Sequence, residues 1–214
     1  MNHAKDAACV VATLGVGSAA FLMWSPLDTR AGAADAPLEV IRRTTQQAVA
    51  VLDDPAYRGD DHRRERIKKM WEIILPSFDE QEIAKRSLGS HWQELTPEQR
   101  TRFTRLFIQL LKNSYSSTLD RYSTDAQFFF DTERIDGDYA EVYTRILAPT
   151  QTDPFEIVYR MHQDGERWVV HDVVAENVSL VRNYRTQFHR ILTRSSFEGL
   201  IQVLEDKLQE LGAL

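Results

Sequence analysis

Apolar side chains recur every three or four positions between residues 38 and 122, which is the period of a helix with one buried side. This period, together with capping residues and helix-ending Pro and Gly, predicts four helices. We place them at 38–52, 61–75, 79–89 and 97–122. Asp79 is the expected N-cap of the third helix, and Thr96 with Gln99 forms a capping box at the start of the fourth.

The longest predicted helix, 97–122, is apolar around more of its circumference than a surface helix needs. Its apolar residues spread over roughly 220°, whereas a surface helix buries a stripe of about 100°. We therefore expect neighbouring elements to cover this helix on two sides. Two small polar residues, Ser114 and Thr118, lie near the middle of the wide face. They fit either a close contact with a neighbouring element or one wall of an internal cavity.

The period changes to two in the middle of the chain, which predicts four β-strands. The strands are placed at 128–134, 139–147, 155–162 and 167–174. Asp136-Gly137 and Asp164-Gly165 each predict a two-residue hairpin turn between adjacent strands.

Pairing across the second turn assigns the residues of that hairpin to two faces. It puts His162 opposite Arg167 and Ile157 opposite Asp172. One face is mostly apolar and is predicted to be buried, with Asp172 as its single acid; its other members are Phe155, Ile157, Tyr159, Met161, Trp168, Val170 and Val174. The opposite face, which carries His162 and His171, is predicted to be exposed to solvent.

Two more helices are predicted at 178–192 and 196–211, the second with Ser195 and Glu198 as a capping box. Helices, a four-strand meander and then helices again form an α+β pattern in one domain. The fold class is therefore α+β, with a four-stranded or slightly larger antiparallel sheet.

An apolar segment precedes the first helix. Residues 7–24 carry no charge, follow Lys5, and are followed by small residues at 31–34. This arrangement predicts a secretory signal peptide, 1–34, and a single exported domain, 35–214. An uncleaved membrane anchor is the alternative, because an apolar run of about 18 residues is just long enough to span a bilayer. Cleavage would remove Cys9, the one cysteine, and with it any disulfide or thiol nucleophile.

Charge and motifs exclude several classes of function. The 214-residue chain has 26 Lys and Arg against 32 Asp and Glu, a net charge of −6, which argues against a nucleic-acid partner. We find no catalytic, nucleotide-binding or metal-ligating motif, and predict no cofactor. Asp172 is the one candidate for a general base, as in cone-shaped isomerases. An ion pair or helix cap with Arg182 or Arg185 is the preferred explanation for this carboxylate.

The segment WVVHDVVAENVSLVRNYRTQFHRIL, residues 168–192, resembles the signature of the MlaC family, also described as toluene-tolerance auxiliary proteins. The segments AKRSLGSHW, LTPEQRTRFTRLFIQLLKNSY and LDRY agree with that family in order and spacing. Asn177 stands where Gly is more usual in the turn before the helix, and Asn tolerates the same left-handed backbone.

The resemblance implies a periplasmic phospholipid carrier with a curved antiparallel sheet and about six to seven helices around an apolar pocket. Its implied partners are phospholipid, an outer-membrane lipoprotein complex, and an inner-membrane ABC transporter with its substrate-binding subunit. The alternatives are a small cone-shaped isomerase or hydrolase using Asp172, a carrier of another amphiphile such as a hopanoid, and a fully packed interaction domain.

For a carrier we expect the acyl chains to lie between the longest helix, the apolar sheet face and the last helices. Taken singly, each candidate residue fits an ordinary core better than a lipid contact, so the hypothesis concerns the set. The candidate lipid contacts are Phe103, Phe107, Leu110, Leu111, Ser114, Thr118, Tyr143, Ile157, Tyr159, Val170, Val181, Tyr184 and Phe188.

Overall fold

A computed structural model describes residues 35–121, 126–149 and 151–213. Within these ranges the chain forms six α-helices and one five-stranded sheet. The predicted signal peptide, its Cys9, and Tyr122 at the predicted end of the longest helix lie outside the described residues. The α+β class predicted from the alternating periods is confirmed.

The helices lie close to their predicted positions because local capping chemistry marks most of their starts. They are α1 (Pro37–Asp53), α2 (Arg63–Ile74), α3 (Glu80–Leu88), α4 (Pro97–Arg121), α5 (Leu180–Leu192) and α6 (Phe197–Glu210). Asp79 caps α3 by accepting from the Glu82 N–H at 2.8 Å. Thr96 and Gln99 exchange two hydrogen bonds, which confirms the capping box of α4.

The start of α6 differs from the prediction by one residue. Ser196, not Ser195, is the N-cap, and its hydroxyl accepts from the Gly199 N–H at 3.3 Å. Ser196 has the extended backbone of a cap, and its carbonyl accepts the first helical hydrogen bond, from the N–H of Leu200.

The sheet is an antiparallel meander in which each strand pairs with the next along the chain. The strands are β1 (Gln127–Asp136), β2 (Tyr139–Leu147), β3 (Phe155–Asp164), β4 (Arg167–Ala175) and β5 (Val178–Ser179). The short β5 occupies the place where the last helix pair was predicted to begin. Glu176 and Asn177 both have positive φ, 47° and 64°, and this tight turn brings Val178 back beside Ala175. The left-handed backbone expected of Asn177 is confirmed.

Both long hairpins turn one residue later than predicted. Asp136 pairs with Tyr139, and Asp164 pairs with Arg167, so each turn is centred on Gly and the residue that follows it. Gly137 and Gly165 take the first central position with φ of 57° and 62°, as a type II′ turn requires. The predicted pairing of His162 with Arg167 is therefore wrong, and His162 pairs with Val169.

A β-bulge in β4 changes the faces predicted for that strand. Met161 pairs with Val170 and Arg160 with Asp172, so His171 is the extra residue. Asp172 is therefore not opposite Ile157. Beyond the bulge Val173, opposite Tyr159, takes the cavity-side position that the prediction assigned to Val174.

The buried apolar side chains form separate clusters, of which two are large. One cluster, here called the helical core, joins α3, α4, α5 and α6 around buried side chains such as Phe103, Phe107, Leu200 and Leu204. A second cluster packs α1 against the sheet through Val40, Ile41, Val142, Met161 and Val170. The two-sided covering predicted for the longest helix is confirmed, because α4 packs against both α6 and α2.

Candidate functional site

An apolar cavity of about 400 Å³ lies between α1, α2, the C-terminal half of α4 and the sheet. This volume falls within the range of small-molecule binding pockets, about 300–1,000 Å³. The helices contribute side chains such as Leu52, Met70, Trp71 and Leu119 to its wall, and the sheet contributes Ile146, Phe155 and Ile157. The site is thus a partly open space that mostly apolar side chains line and do not fill.

Small side chains on α1 leave this space open. Thr44, Ala48 and Leu52 recur every four residues and therefore lie on one side of the helix, where they line the cavity. The Thr44 hydroxyl lies 2.8 Å from the Ser77 hydroxyl, so this polar group is hydrogen-bonded at the wall. Thr44 and Ala48 are shorter than the Leu or Ile side chains that usually fill a core, so they leave room at this wall.

The wall between α2 and α4 is held by polar contacts. The Trp71 indole N–H donates to the Ser116 hydroxyl at 3.1 Å. Further toward the helix ends, Arg63 and Arg66 both bond the Asp120 carboxylate, at 2.7 and 2.8 Å. Arg66 and Asp120 are largely buried, with 13% and 12% of their side chains exposed, which favours a persistent contact over a solvated surface pair. We call this line of contacts the α2–α4 seam.

Four of the thirteen residues predicted as lipid contacts lie in the cavity wall. They are Leu111 and Thr118 from α4, and Ile157 and Tyr159 from β3. They come from two elements about 40 residues apart in the chain, which the fold brings to opposite sides of one space.

Most of the other predicted contacts belong to packed cores. Phe103, Phe107, Leu110, Val181 and Phe188 are buried in the helical core, and Tyr184 packs against it. The Phe107 ring meets the rings of Tyr184 and Phe188 at centroid distances of 4.9 and 5.1 Å. Val170 lies in the cluster between α1 and the sheet.

Two predicted contacts are polar and lie away from the cavity wall. Ser114 is exposed and hydrogen-bonds Tyr184, whose pKa is raised chiefly by burial of its hydroxyl. The Tyr143 hydroxyl donates to Glu141 at 2.6 Å on the polar side of the sheet. Helical periodicity identified an apolar circumference on α4 correctly, but it could not tell which of two neighbours each side chain would meet.

The sequence reasoning missed the contribution of α1 and α2 to the cavity. Thr44, Ala48, Met70, Trp71 and Ile74 all line it. The same signal that singled out Ser114 and Thr118, small residues among apolar ones at helical spacing, is present at Thr44 and Ala48 and points to a cavity wall.

Asp172 is buried and serves as a cap for α5. Its Oδ1 accepts from the Val181 N–H at 3.0 Å, and its Oδ2 accepts from the Ser179 hydroxyl at 2.6 Å. This confirms the predicted helix cap, but the cationic partner is Arg160, at 3.4 Å, and not Arg182 or Arg185. Both oxygens of this carboxylate are therefore engaged in contacts that fix the start of α5.

The two histidines that were predicted to be exposed form a partly buried cluster. His171 is 6% exposed, and its Nδ1 lies 3.4 Å from His162 Nδ1. His162 Nε2 lies 3.2 Å from the Asp79 carboxylate. Burial, assisted by the positive charge of Arg86 and by His162, lowers the pKa of His171 to about 4. The prediction that these histidines are exposed to solvent is wrong, because the bulge places His171 where neighbouring side chains cover it.

Two kinds of feature are absent from the part of the chain that the structure describes. Across residues 35–121, 126–149 and 151–213, no three His, Cys, Asp or Glu side chains are grouped so that they could hold a metal ion. Over the same ranges, no helix combines the length and apolarity needed to cross a membrane.

Comparisons with known proteins agree with this architecture. The family model of the MlaC protein matches residues 42–206. Solved structures include a phospholipid-binding protein from Ralstonia solanacearum in complex with a phospholipid. The fold of that protein is similar, with a TM-score of 0.72 at 20% identity, over 83% of this chain and 99% of the other.

Two curated relatives are similar in sequence. The intermembrane phospholipid transport system binding protein MlaC of Haemophilus influenzae is 21% identical over 140 residues, 64% of this chain. The match spans 65% of that relative's length, just under two thirds. Toluene tolerance protein ttg2D of Pseudomonas putida is 22% identical over 164 residues, 76% of each chain.

Proposed function

Because the chain belongs to the MlaC family, we propose that it is a periplasmic phospholipid carrier and not an enzyme. In this proposal it moves lipid between an outer-membrane lipoprotein complex and an inner-membrane ABC transporter with its substrate-binding subunit. The observation that carries the proposal is the apolar cavity of about 400 Å³ between α1, α2, α4 and the sheet. The names of the relatives, which refer to phospholipid binding and transport, support the same cargo.

The energetics of lipid transfer explain why such a carrier needs a cavity and no reactive group. Each methylene moved out of water contributes about 0.8 kcal/mol, so two acyl chains of some thirty carbons represent more than about 20 kcal/mol. A carrier cannot lift lipid through water against that free energy. It can take the chains directly from another apolar site, since that exchange is nearly neutral. Any net driving force would come from the partner ATPase.

We place the acyl chains against the walls of the cavity, in contact with Leu111, Thr118, Ile157 and Tyr159 from the predicted set. On the facing side the proposed contacts come from α1 and α2, including Ala48 and Met70. In this assignment Phe103, Phe107 and the other helical-core residues hold α4 in place and do not touch lipid.

The first experiment is to purify the exported protein from the periplasm and measure its mass under native conditions, followed by lipid extraction. The expected result is a bound species in the mass range of a diacyl phospholipid. A hopanoid or another amphiphile in the extract would replace phospholipid as the cargo. A bare polypeptide that accepts no lipid from donor vesicles would contradict the carrier function.

A matched pair of substitutions on α4 tests the location of the site. Thr118 lines the cavity, whereas Ser114 lies one turn earlier on the same helix and is exposed. Thr118→Trp is expected to remove bound lipid while the circular dichroism spectrum stays that of the folded protein. Ser114→Phe adds a comparable ring outside the cavity and is expected to leave the lipid content unchanged. Equal lipid loss in both variants would contradict the assigned wall.

A further inference from the structure

A second depression, of about 960 Å³, lies on the outer side of the α2–α4 seam. Five cationic residues line it: Arg64 and Lys68 from α2, and Arg100, Arg105 and Lys112 from α4. Arg64 and Lys68 are four residues apart and Arg105 and Lys112 seven apart, so each pair projects from one side of its helix. We call this depression the basic groove.

The charge of the basic groove is opposite to that of the whole molecule. Its lining holds five cations and a single acid, Glu80, in a chain of net charge −6. Among the described residues, Arg64, Arg105 and Lys112 form no ion pair, whereas cations elsewhere on the surface, such as Arg102 and Arg145, are paired. A concave surface lined by unpaired cations concentrates anions.

The basic groove and the apolar cavity share a wall. Trp71, Leu75, Ile108, Glu80 and Lys112 line both spaces, so a single layer of side chains separates them. A lysine is suited to such a boundary, because its aliphatic stem can lie on apolar surface while its ammonium group contacts polar atoms. An apolar volume and a set of cations therefore lie on the two sides of one layer of side chains.

Building on the proposed carrier function, we propose that the basic groove binds the phosphate of an anionic phospholipid head group whose acyl chains lie in the adjoining cavity. Arginine and lysine are the side chains that bind phosphate oxygens most strongly. An acidic protein segment would use the cations but has no need of the shared apolar wall. A lipid uses both, with its glycerol region beside Lys112, which lines the two spaces. The carrier would then favour lipids with an extra negative charge over zwitterionic ones.

The test is a competition between head groups. Lipid-free protein is incubated with vesicles of equimolar phosphatidylglycerol and phosphatidylethanolamine with matched acyl chains, and the retained lipids are quantified by mass spectrometry. We expect phosphatidylglycerol to be enriched about fivefold, close to the effect of one exposed ion pair. The double variant Arg64→Gln, Arg105→Gln, at two positions that line the groove and not the cavity, is expected to retain the same total lipid without this enrichment. Arg190→Gln, Arg194→Gln removes the same charge from outside the groove and should leave the enrichment intact.

Other outcomes would overturn the inference in distinguishable ways. Lipid retained by the wild type without head-group enrichment would remove the basic groove from lipid binding and leave the carrier function standing. No retained lipid in any protein would reject the carrier function itself. Tight binding of glycerol phosphate, which has no acyl chains, would make the groove a site for a free phosphate compound. Unchanged lipid selection with slower transfer to a partner complex would assign the groove to an acidic protein.

Discussion

The helix α4 contributes to both the helical core and the cavity, but its side chains are closely packed in the first and border open space in the second. At the N-terminal half of α4, Phe103 and Phe107 are fully buried because α5 and α6 supply bulky partners such as Phe188 and Leu204. At the C-terminal half, Thr118 and Leu119 face α1, which presents Thr44 and Ala48. An apolar helix face therefore becomes core or cavity according to the size of the side chains opposite it.

This difference predicts unequal losses of stability when side-chain volume is removed, and the largest loss is expected in the helical core. Phe107→Ala should lower the free energy of unfolding by about 3–5 kcal/mol, because it opens a void among closely packed rings. Leu119→Ala, at the already open end of the same helix, should cost less than about 2 kcal/mol. Urea unfolding of lipid-free protein measures both. Equal losses would mean that the two halves of α4 are packed alike.

The partly buried pair of His162 and His171 tests whether acid lowers stability in a region away from the cavity. In the folded protein the pKa of His171 is about 4, against an ordinary value of 6.5. Between these values the unfolded chain binds a proton that the folded chain does not, so the free energy of unfolding should fall as the pH drops from about 6.5 to 4. The loss should reach up to about 3 kcal/mol. Urea unfolding across this pH range should show a shallower dependence for His171→Phe, and an unchanged dependence would contradict the assignment.

Adding volume should also separate the two regions, with a loss of stability in the helical core only. Ala84 is fully buried in the helical core, whereas Ala48 lines the cavity. Ala84→Leu is expected to cost about 1–3 kcal/mol through overpacking. Ala48→Leu extends into open space and should leave lipid-free protein as stable or raise its stability by up to about 1 kcal/mol, while its lipid content falls. Chemical unfolding and lipid extraction of each variant, side by side, measure the contrast.

A smaller effect is expected at Asp172, which lines the cavity but is bonded to the start of α5. Asp172→Asn keeps the shape of the side chain and removes its charge, so it should cost about 1–2 kcal/mol of stability. We expect lipid content per folded molecule to stay at the wild-type level. Loss of a hydrolytic or isomerase activity, with lipid binding intact or absent, would instead favour the alternative enzymatic role.

Sequence reasoning succeeded where the determining contacts are local. Asp79 and Thr96 cap their helices with groups three residues away, and alternating side chains identify the four long strands. The predicted hairpin register was wrong by one residue, because Asp-Gly predicts a turn without deciding which of its two residues occupies the first central position. The bulge at His171 then reversed the later faces of β4, and no short-range pattern marks such an insertion.

The cavity was harder to predict because its walls come from distant parts of the chain. Thr118 and Ala48 are separated by about seventy residues, and each is an ordinary small residue in its own helix. Apolar periodicity reports how much of α4 is covered and not what covers it. Of the four predicted wall residues, Leu111 and Thr118 lie on this widely apolar helix, and Phe103 and Phe107 carry the same signal yet lie in the helical core.

The position of Trp71 gives the protein an optical reporter of its own occupancy. Its indole forms part of the wall shared by the cavity and the basic groove and is hydrogen-bonded to Ser116, while Trp92 and Trp168 are buried in packed clusters. Indole emission shifts to shorter wavelength when water is displaced from the ring. Loading and release should therefore be followed in real time by intrinsic fluorescence in a Trp92→Phe, Trp168→Phe background, with unlabelled lipid and unlabelled partners.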